Sequence, residues 1–293
     1  MNEVRIRGMA KINLALDVLG KRPNGYHDVS MIMQTVGLYD ELYIAKKDTP
    51  GIAVFCDTEE LPCDEHNLIY KAAKLILTHT KTKSGVSIHL QKNIPIAAGM
   101  AGGSTDAAAT LIGINRLFEL SLDYEILESL AVQIGADVPY CLHGGTYLSE
   151  GIGEILKPLP KMPGAYLVIA KPDINVSTAF VYQNLKLQEI TVHPDISGMI
   201  GAITNGDIHG VADRLANVLE TVTIPAYPQI EQMKQCLLAN GAMGALMSGS
   251  GPTVFGLFEQ EKTAKTAYEQ LVKTGLVRQG CVTGFMHETC VME

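Results

Sequence analysis

Runs of lysine and arginine are missing from this chain, and acidic residues outnumber basic ones, 31 to 23, for a formal net charge of −8. Nucleic acids and membrane surfaces reward clustered cations, so neither is expected as a partner, and a small-molecule ligand is the better expectation. Cysteines are few and scattered: Cys56, Cys63, Cys141, Cys236, Cys281 and Cys290 show no CxxC spacing, which excludes a zinc ribbon and a dense disulfide frame. That usage suits a reducing cytoplasm. No apolar run is long enough to span a bilayer, and Glu3, Arg5, Arg7 and Lys11 leave no apolar stretch for a signal peptide. Internal repeats, heptads and low-complexity tracts are also absent. So are GxxxxGK[ST], a GxGxxG following a strand, and HExxH, which removes the P-loop, the dinucleotide fingerprint and the zinc-protease helix.

What remains is an ordinary globular composition, 293 residues with 47% hydrophobic and 18% charged, enough for a sizeable core and one large or two modest domains. Val4 to Val18 alternate with period two, which predicts a half-buried strand with Arg5, Arg7, Lys11, Asn13 and Asp17 on its polar face. Pro23, Asn24 and Gly25 supply a turn, and a second strand is predicted from near Val29. Helical spacing follows at 68–78, 107–118 and 124–134, with strands at 85–90 and 146–149. The prolines of LKPLPKMPG, residues 156–164, predict a boundary that divides the chain into domains 1–158 and 159–293. Beyond it, strands are predicted at 165–170, 243–248, 253–258 and 281–287, and helices near 178–187, 207–219, 228–239 and 261–273. This mixed order reads as α+β.

The stretch IPIAAGMAGGSTD, residues 94–106, is the least ordinary part of the chain. A glycine-rich loop opening onto a helix is a device for holding phosphate, because backbone N–H groups converge and the helix dipole favours negative charge. Asp106 can cap that helix, repel a phosphate, or meet one through Mg²⁺; a tight turn with an Asp or Thr cap is the plain alternative. Lys11 and Asn13 emerge on the same side of the first strand and could address one ligand, although a solvated face is the commoner fate of such a lysine. Asp137 in IGADVP, residues 134–139, has the ordinary alternative of a helix N-cap before Pro139. Tyr26 and His27 follow the turn directly, and SGSGP, residues 248–252, is a second place where backbone amides can approach a ligand.

Taken together and in this order, the N-terminal strand, the PxxxGxxxS-type loop and the late glycine loop resemble the GHMP small-molecule kinases. KINLALDVLGKRPNGYHDV, residues 11–29, with IGADVP, is similar to the branch whose acceptor is a cytidine diphosphate ester of methylerythritol in the non-mevalonate isoprenoid pathway. The resemblance covers essentially the whole chain. It implies a two-domain fold, an N-terminal domain like ribosomal protein S5 domain 2 and a ferredoxin-like C-terminal domain, with the site in the cleft between them. The implied reaction moves the γ-phosphoryl group of ATP to the tertiary 2-hydroxyl of the erythritol, with Mg²⁺ expected alongside ATP. Asp137 would be the general base and Lys11 its partner; Asn13 would bind the erythritol, His27 the edge of cytosine, and Tyr26 and Tyr182 its two faces. Asn67 and Lys92 would contact adenine. Pro95, Ala98, Gly99, Met100 and Ala101, with Gly102, Gly103, Ser104 and Thr105, would hold the phosphates. Met100-Ala101 and Ser104-Thr105 depart from the family's usual Leu-Gly or Leu-Ala and Ser-Ser, but keep size or hydroxyl. The alternatives are a homoserine or mevalonate kinase-like enzyme, or a non-catalytic nucleotide sensor of the same fold.

Overall fold

A computed structural model describes residues 2–288 and 290–292. The chain opens with a long hairpin, β1 (Glu3–Lys21) and β2 (His27–Lys47), followed by β3 (Ile52–Cys56), α1 (Leu68–His79), β4 (Gly85–Gln91) and α2 (Gly102–Leu117). Next come α3 (Tyr124–Ala131), α4 (Val138–His143), β5 (Thr146–Gly151), β6 (Ile155–Pro158) and β7 (Tyr166–Pro172). The second half contains α5 (Thr178–Asn184), a short 3-10 turn at Leu187–Glu189, α6 (Ile196–Thr204), α7 (Ile208–Ala212), β8 (Ala216–Asn217), α8 (Glu220–Ala226) and α9 (Gln229–Ala239). It closes with β9 (Gly244–Met247), β10 (Val254–Phe258), α10 (Glu261–Lys273), β11 (Val277–Gly284) and β12 (Cys290–Met292). Among the described residues no helix is long and apolar enough to cross a membrane.

These strands form two sheets. The first runs β12-β1-β2-β4-β3, with β5 joined to β2, β6 to β5 and β8 to β1. The second, β11-β7-β10-β9, is antiparallel throughout. The α+β reading of the sequence therefore holds, and most predicted elements appear where periodicity put them. Residues 207–219 are a correction: helix ends at Ala212, and Ala216 and Asn217 pair in parallel with Ala15 and Leu16 of β1. The last predicted strand also begins earlier, at Val277, because it pairs with β7 from Pro172 onward.

The hairpin turn is made by Gly25, whose φ of +89° is costly for any residue with a Cβ; its N–H donates to the Arg22 carbonyl at 3.0 Å. Contrary to the half-buried expectation, β1 is buried on both faces from Gly8 to Val18. Val4 and Ile6 pack into one core with α1, α2 and the first sheet, whereas Ala10, Ile12 and Leu14 pack into another with Leu167, Ile169 and Phe255 of the second sheet and Met199 of α6. Register shifts at Met9/Lys11 and Asn13/Ala15 accompany the change of neighbours. Helix α2 lies close beneath this strand: a Cβ on Gly8 would stand 3.1 Å from the Thr105 carbonyl oxygen. Its alanine-rich sequence permits that depth.

Arg5 and Arg7 both reach Glu41 across the β1–β2 ladder, at 2.8 and 2.7 Å, and hold its carboxyl down at about 2, against the opposing effect of burial. Such a depressed carboxylate stabilises the fold above its unfolded value of about 4.3, and that contribution is lost as pH falls toward about 2. We therefore expect Glu41→Gln to cost about 1–3 kcal/mol at neutral pH. Urea unfolding should show the gap from wild type closing as pH is lowered through that window; a gap independent of pH would contradict the assignment.

Candidate active site

A cavity of about 870 Å³ lies where β1, the 95–104 loop, the start of α4, helix α5 and the 248–251 loop converge. Its floor is made by two glycine loops in contact. Gly99 has φ +74°, and a Cβ there would sit 2.1 Å from the Ser248 carbonyl oxygen, so only glycine fits. The Ser248 hydroxyl donates to the Gly99 carbonyl at 3.0 Å and accepts from the Asn13 N–H at 3.3 Å. Asn217, on the short strand β8, donates to the Met247 and Gly249 carbonyls at 2.9 and 2.8 Å and fixes the second loop. Sequence reading singled out both loops but not Asn217; an asparagine inside a predicted helix gave no sign of it.

Helix α2 begins at Gly102, earlier than its apolar spacing predicted, and Ala101 before it takes φ +57° without any side-chain cap. Its first N–H groups are thus left without intrahelical acceptors at the cavity wall, the arrangement that favours an anion. Pro95, Ala98, Gly99, Ala101, Gly102, Gly103 and Ser104 all border the cavity. Met100 and Thr105 are not among the residues that line it. Met100 is buried in the second core, where its carbonyl accepts from the Lys11 N–H at 3.2 Å, and Thr105 is buried beneath Gly8. Neither Thr105 nor Asp106 caps the helix. Asp106 instead accepts from Lys92 Nζ at 3.0 Å, and burial pushes its carboxyl well above the usual range against the pull of that lysine. The negative charge that would repel a phosphate is muted in this way.

Lys11 is 5% exposed, not on a solvated face. Its ammonium donates to Asn13 Oδ1 at 2.8 Å and to the Gly99 carbonyl at 3.4 Å, and stands 3.8 Å from Asp137 Oδ2. Asp137 occupies the position before α4 but caps nothing, which leaves its carboxylate facing the cavity. Helix α4 is held by a buried hydroxyl network that the sequence did not advertise. Tyr140 donates to the Gly145 carbonyl at 2.8 Å and lies 2.9 Å from Thr35 Oγ1, which accepts from the Gly145 N–H at 2.9 Å.

At the other end, the His27 and Tyr182 rings pack on each other with centroids 5.1 Å apart, while Tyr26 is 59% exposed at the rim. Burial, with Lys21 nearby, holds His27 below the usual imidazole range, so it is neutral at neutral pH. Burial and the Asp137 charge push the Tyr182 phenol up to about 12. Asn67 borders the cavity, yet its amide is engaged: Oδ1 accepts from the Ile69 N–H at 2.9 Å to cap α1, and Nδ2 donates to the Pro62 carbonyl at 2.7 Å. Lys92 borders it too, with its ammonium between Asp40 and Asp106.

Because the loops interlock at Gly99, Gly99→Ala is expected to destabilise the protein by about 1–3 kcal/mol and to weaken nucleotide binding at the same time. Thermal unfolding with and without nucleotide reads both; an unchanged melting temperature and affinity would show that the contact is dispensable.

The GHMP kinases N terminal domain matches residues 67–145, and the GHMP kinases C terminal domain matches residues 199–276. A 4-diphosphocytidyl-2-C-methyl-D-erythritol kinase of Lachnoclostridium phytofermentans is 54% identical over 268 residues, 92% of each chain. One from Acetivibrio thermocellus is 51% identical over 271 residues, 92% of this chain and 95% of its own. A crystal structure of 4-(cytidine 5'-diphospho)-2C-methyl-D-erythritol kinase matches with TM-score 0.83 at 31% identity, over 96% of this chain and 98% of that one. The homoserine kinase from Cytophaga hutchinsonii matches with the same TM-score, 0.83, over 100% of this chain and 98% of its own, at 19% identity, a likeness of fold alone.

Proposed function

Given that the chain belongs to the GHMP kinase family, and within it to the 4-diphosphocytidyl-2-C-methyl-D-erythritol kinases, we propose that its cleft carries out ATP-dependent phosphorylation of that substrate at the 2-hydroxyl. The products are the 2-phosphate and ADP, in the non-mevalonate isoprenoid pathway. The observation that carries the assignment of roles is the approach of Lys11 Nζ to Asp137 Oδ2, 3.8 Å, beside the open start of α2.

A tertiary alcohol is a weak nucleophile, so a carboxylate must take its proton as the new phosphorus–oxygen bond forms. Asp137 is that base. Lys11 steadies the charge that develops, and its own buried ammonium is held in place by Asn13 and the Gly99 carbonyl. Asn13 also faces the erythritol. Backbone N–H groups of Gly102, Gly103 and Ser104 receive the phosphates, and alignment of hydroxyl with γ-phosphorus supplies much of the remaining rate. Asn67 and Lys92 border the adenine end. Tyr26 and Tyr182 offer π-surfaces to cytosine, and a neutral His27 can both donate to and accept from its polar edge. Mg²⁺ accompanies ATP in this reading. Among the described residues no three His, Cys, Asp or Glu side chains converge into a cage for a metal, so phosphate oxygens and water would supply most of its ligands. The protein works in the cytoplasm, where its scattered cysteines stay reduced.

Homoserine and mevalonate carry no base to stack, and the His27–Tyr182 pair speaks for an acceptor that does. Thermal protection by CMP or CDP, without protection by homoserine or mevalonate, is the expected result; the reverse pattern overturns the cytidine assignment. Asp137→Asn should keep nucleotide affinity yet lower turnover by at least about 10²-fold in an ATP-consumption assay with the cytidine substrate. Near-normal turnover in that variant rules out Asp137 as the base.

A further inference from the structure

Lys92, Asp40 and Asp106 come from three separate parts of the chain and meet at the cavity wall, which Lys92 and Asp106 help to line while Asp40 stands behind them, with Asp40 at 0% exposure and Asp106 at 2%. Asp40, on β2, accepts from the Asn93 and Ile94 N–H groups at 2.6 and 2.8 Å through one oxygen, and from Lys92 Nζ through the other. Lys92 Nζ then donates to Asp106 Oδ2, 3.0 Å away, in the first turns of α2. Its nitrogen is also close to the start of that helix, 2.9 Å from where a Gly102 Cβ would stand. Residues 93–94 lead into the loop and residues 102–106 lead out of it. Both ends are therefore tied to one buried point on β2.

Burying three ionisable groups is expensive, and removing one partner strands the others. A cluster of this kind is poor at adding stability compared with apolar packing, but it fixes geometry sharply. What it fixes here is a loop whose backbone is unusual in detail, with positive φ at Ala97, Gly99 and Ala101. Such a loop has no repetitive hydrogen bonding of its own to hold it, and an anion cradle must be ordered before the anion arrives if binding is not to be weakened by the cost of ordering it.

We propose that Lys92, Asp40 and Asp106 form a clasp that pre-orders residues 95–104 for the triphosphate, which makes Lys92 a positioning residue acting through the loop. The inference rests on the reading of that segment as the phosphate cradle, and it separates Lys92 from a group that acts solely by touching adenine. An adenine contact improves the binding of ATP alone. A clasp improves the binding of any triphosphate, and Asp40, shut away from the cavity, matters as much as Lys92.

The test titrates wild type, Lys92→Met and Asp40→Asn with ATP and with inorganic tripolyphosphate, and measures KM for the cytidine substrate in parallel. The clasp predicts that both variants lose about 10-fold or more in affinity for both ligands, with the cytidine substrate's KM within about 2-fold, a split that general damage to the fold would not give. Loss for ATP with unchanged tripolyphosphate binding, or normal binding by a folded Asp40→Asn, overturns it. Should Lys92→Met not fold, Lys92→Gln keeps one donor, and a smaller, equal loss for both ligands is then expected. Hydrogen exchange on the wild type is independent of any variant: the amides of Asn93 and Ile94, which donate to Asp40, should be protected before ligand is added, and fast exchange there defeats the proposal. If wild type binds neither ligand, it is the reading of the cradle that fails.

Discussion

A single ammonium group, that of Lys11, has to be taken out of water without being left unpaired, and the rest of the site is arranged around that requirement. Its desolvation costs several kcal/mol in an apolar setting unless hydrogen bonds and opposite charge offset it. Three different elements supply them: Asn13 on the same strand, the Gly99 carbonyl from the glycine loop, and Asp137 at the head of α4. The Gly99 carbonyl is in turn held by Ser248, which belongs to the second sheet's β9–β10 loop. Placement of one charge thus couples the two halves of the chain, and a side chain on Gly99 would break that coupling.

The same logic explains how an acidic protein presents a site for a polyanion. Carboxylates close to the cleft are engaged: Asp40 with Lys92 and two backbone amides, Asp106 with Lys92, Asp137 beside Lys11. The positive end of α2, with no side-chain cap, then stands open at the loop. Overall net charge says little about such a site, because charges farther away than a Debye length are largely screened, whereas a helix end acts on an anion in direct contact.

Much of this was legible in the sequence because the relevant signals are local. Period-two alternation located β1, helical spacing located α1 and α10, and glycine clusters marked both loops. The illegible parts are those decided by distant contacts. Lys11 reads as a surface residue until the glycine loop and the head of α4 close over its side chain. Ala97 and Ala101 give no hint of a left-handed backbone, since alanine normally avoids it; the loop's other anchors impose it. Asn217 sits in a stretch that reads as ordinary helix and Tyr140 just beyond one, and their roles appear only when β8 and α4 are docked. Asp106 stayed open between a cap, repulsion of phosphate and a contact through Mg²⁺, because sequence shows its place at a helix start but not the lysine that approaches it from just beyond β4.

A double-mutant cycle on Lys11 and Asp137 goes most directly to the central claim, that these two groups act as one unit on the transferring phosphoryl group. Turnover would be measured for Lys11→Met, Asp137→Asn and the double variant with the cytidine substrate saturating. Groups acting as a unit are strongly non-additive, so the double variant should fall within about 10-fold of the slower single variant. Single effects that simply multiply in the double variant would mean that ammonium and carboxylate work independently, and would contradict the account.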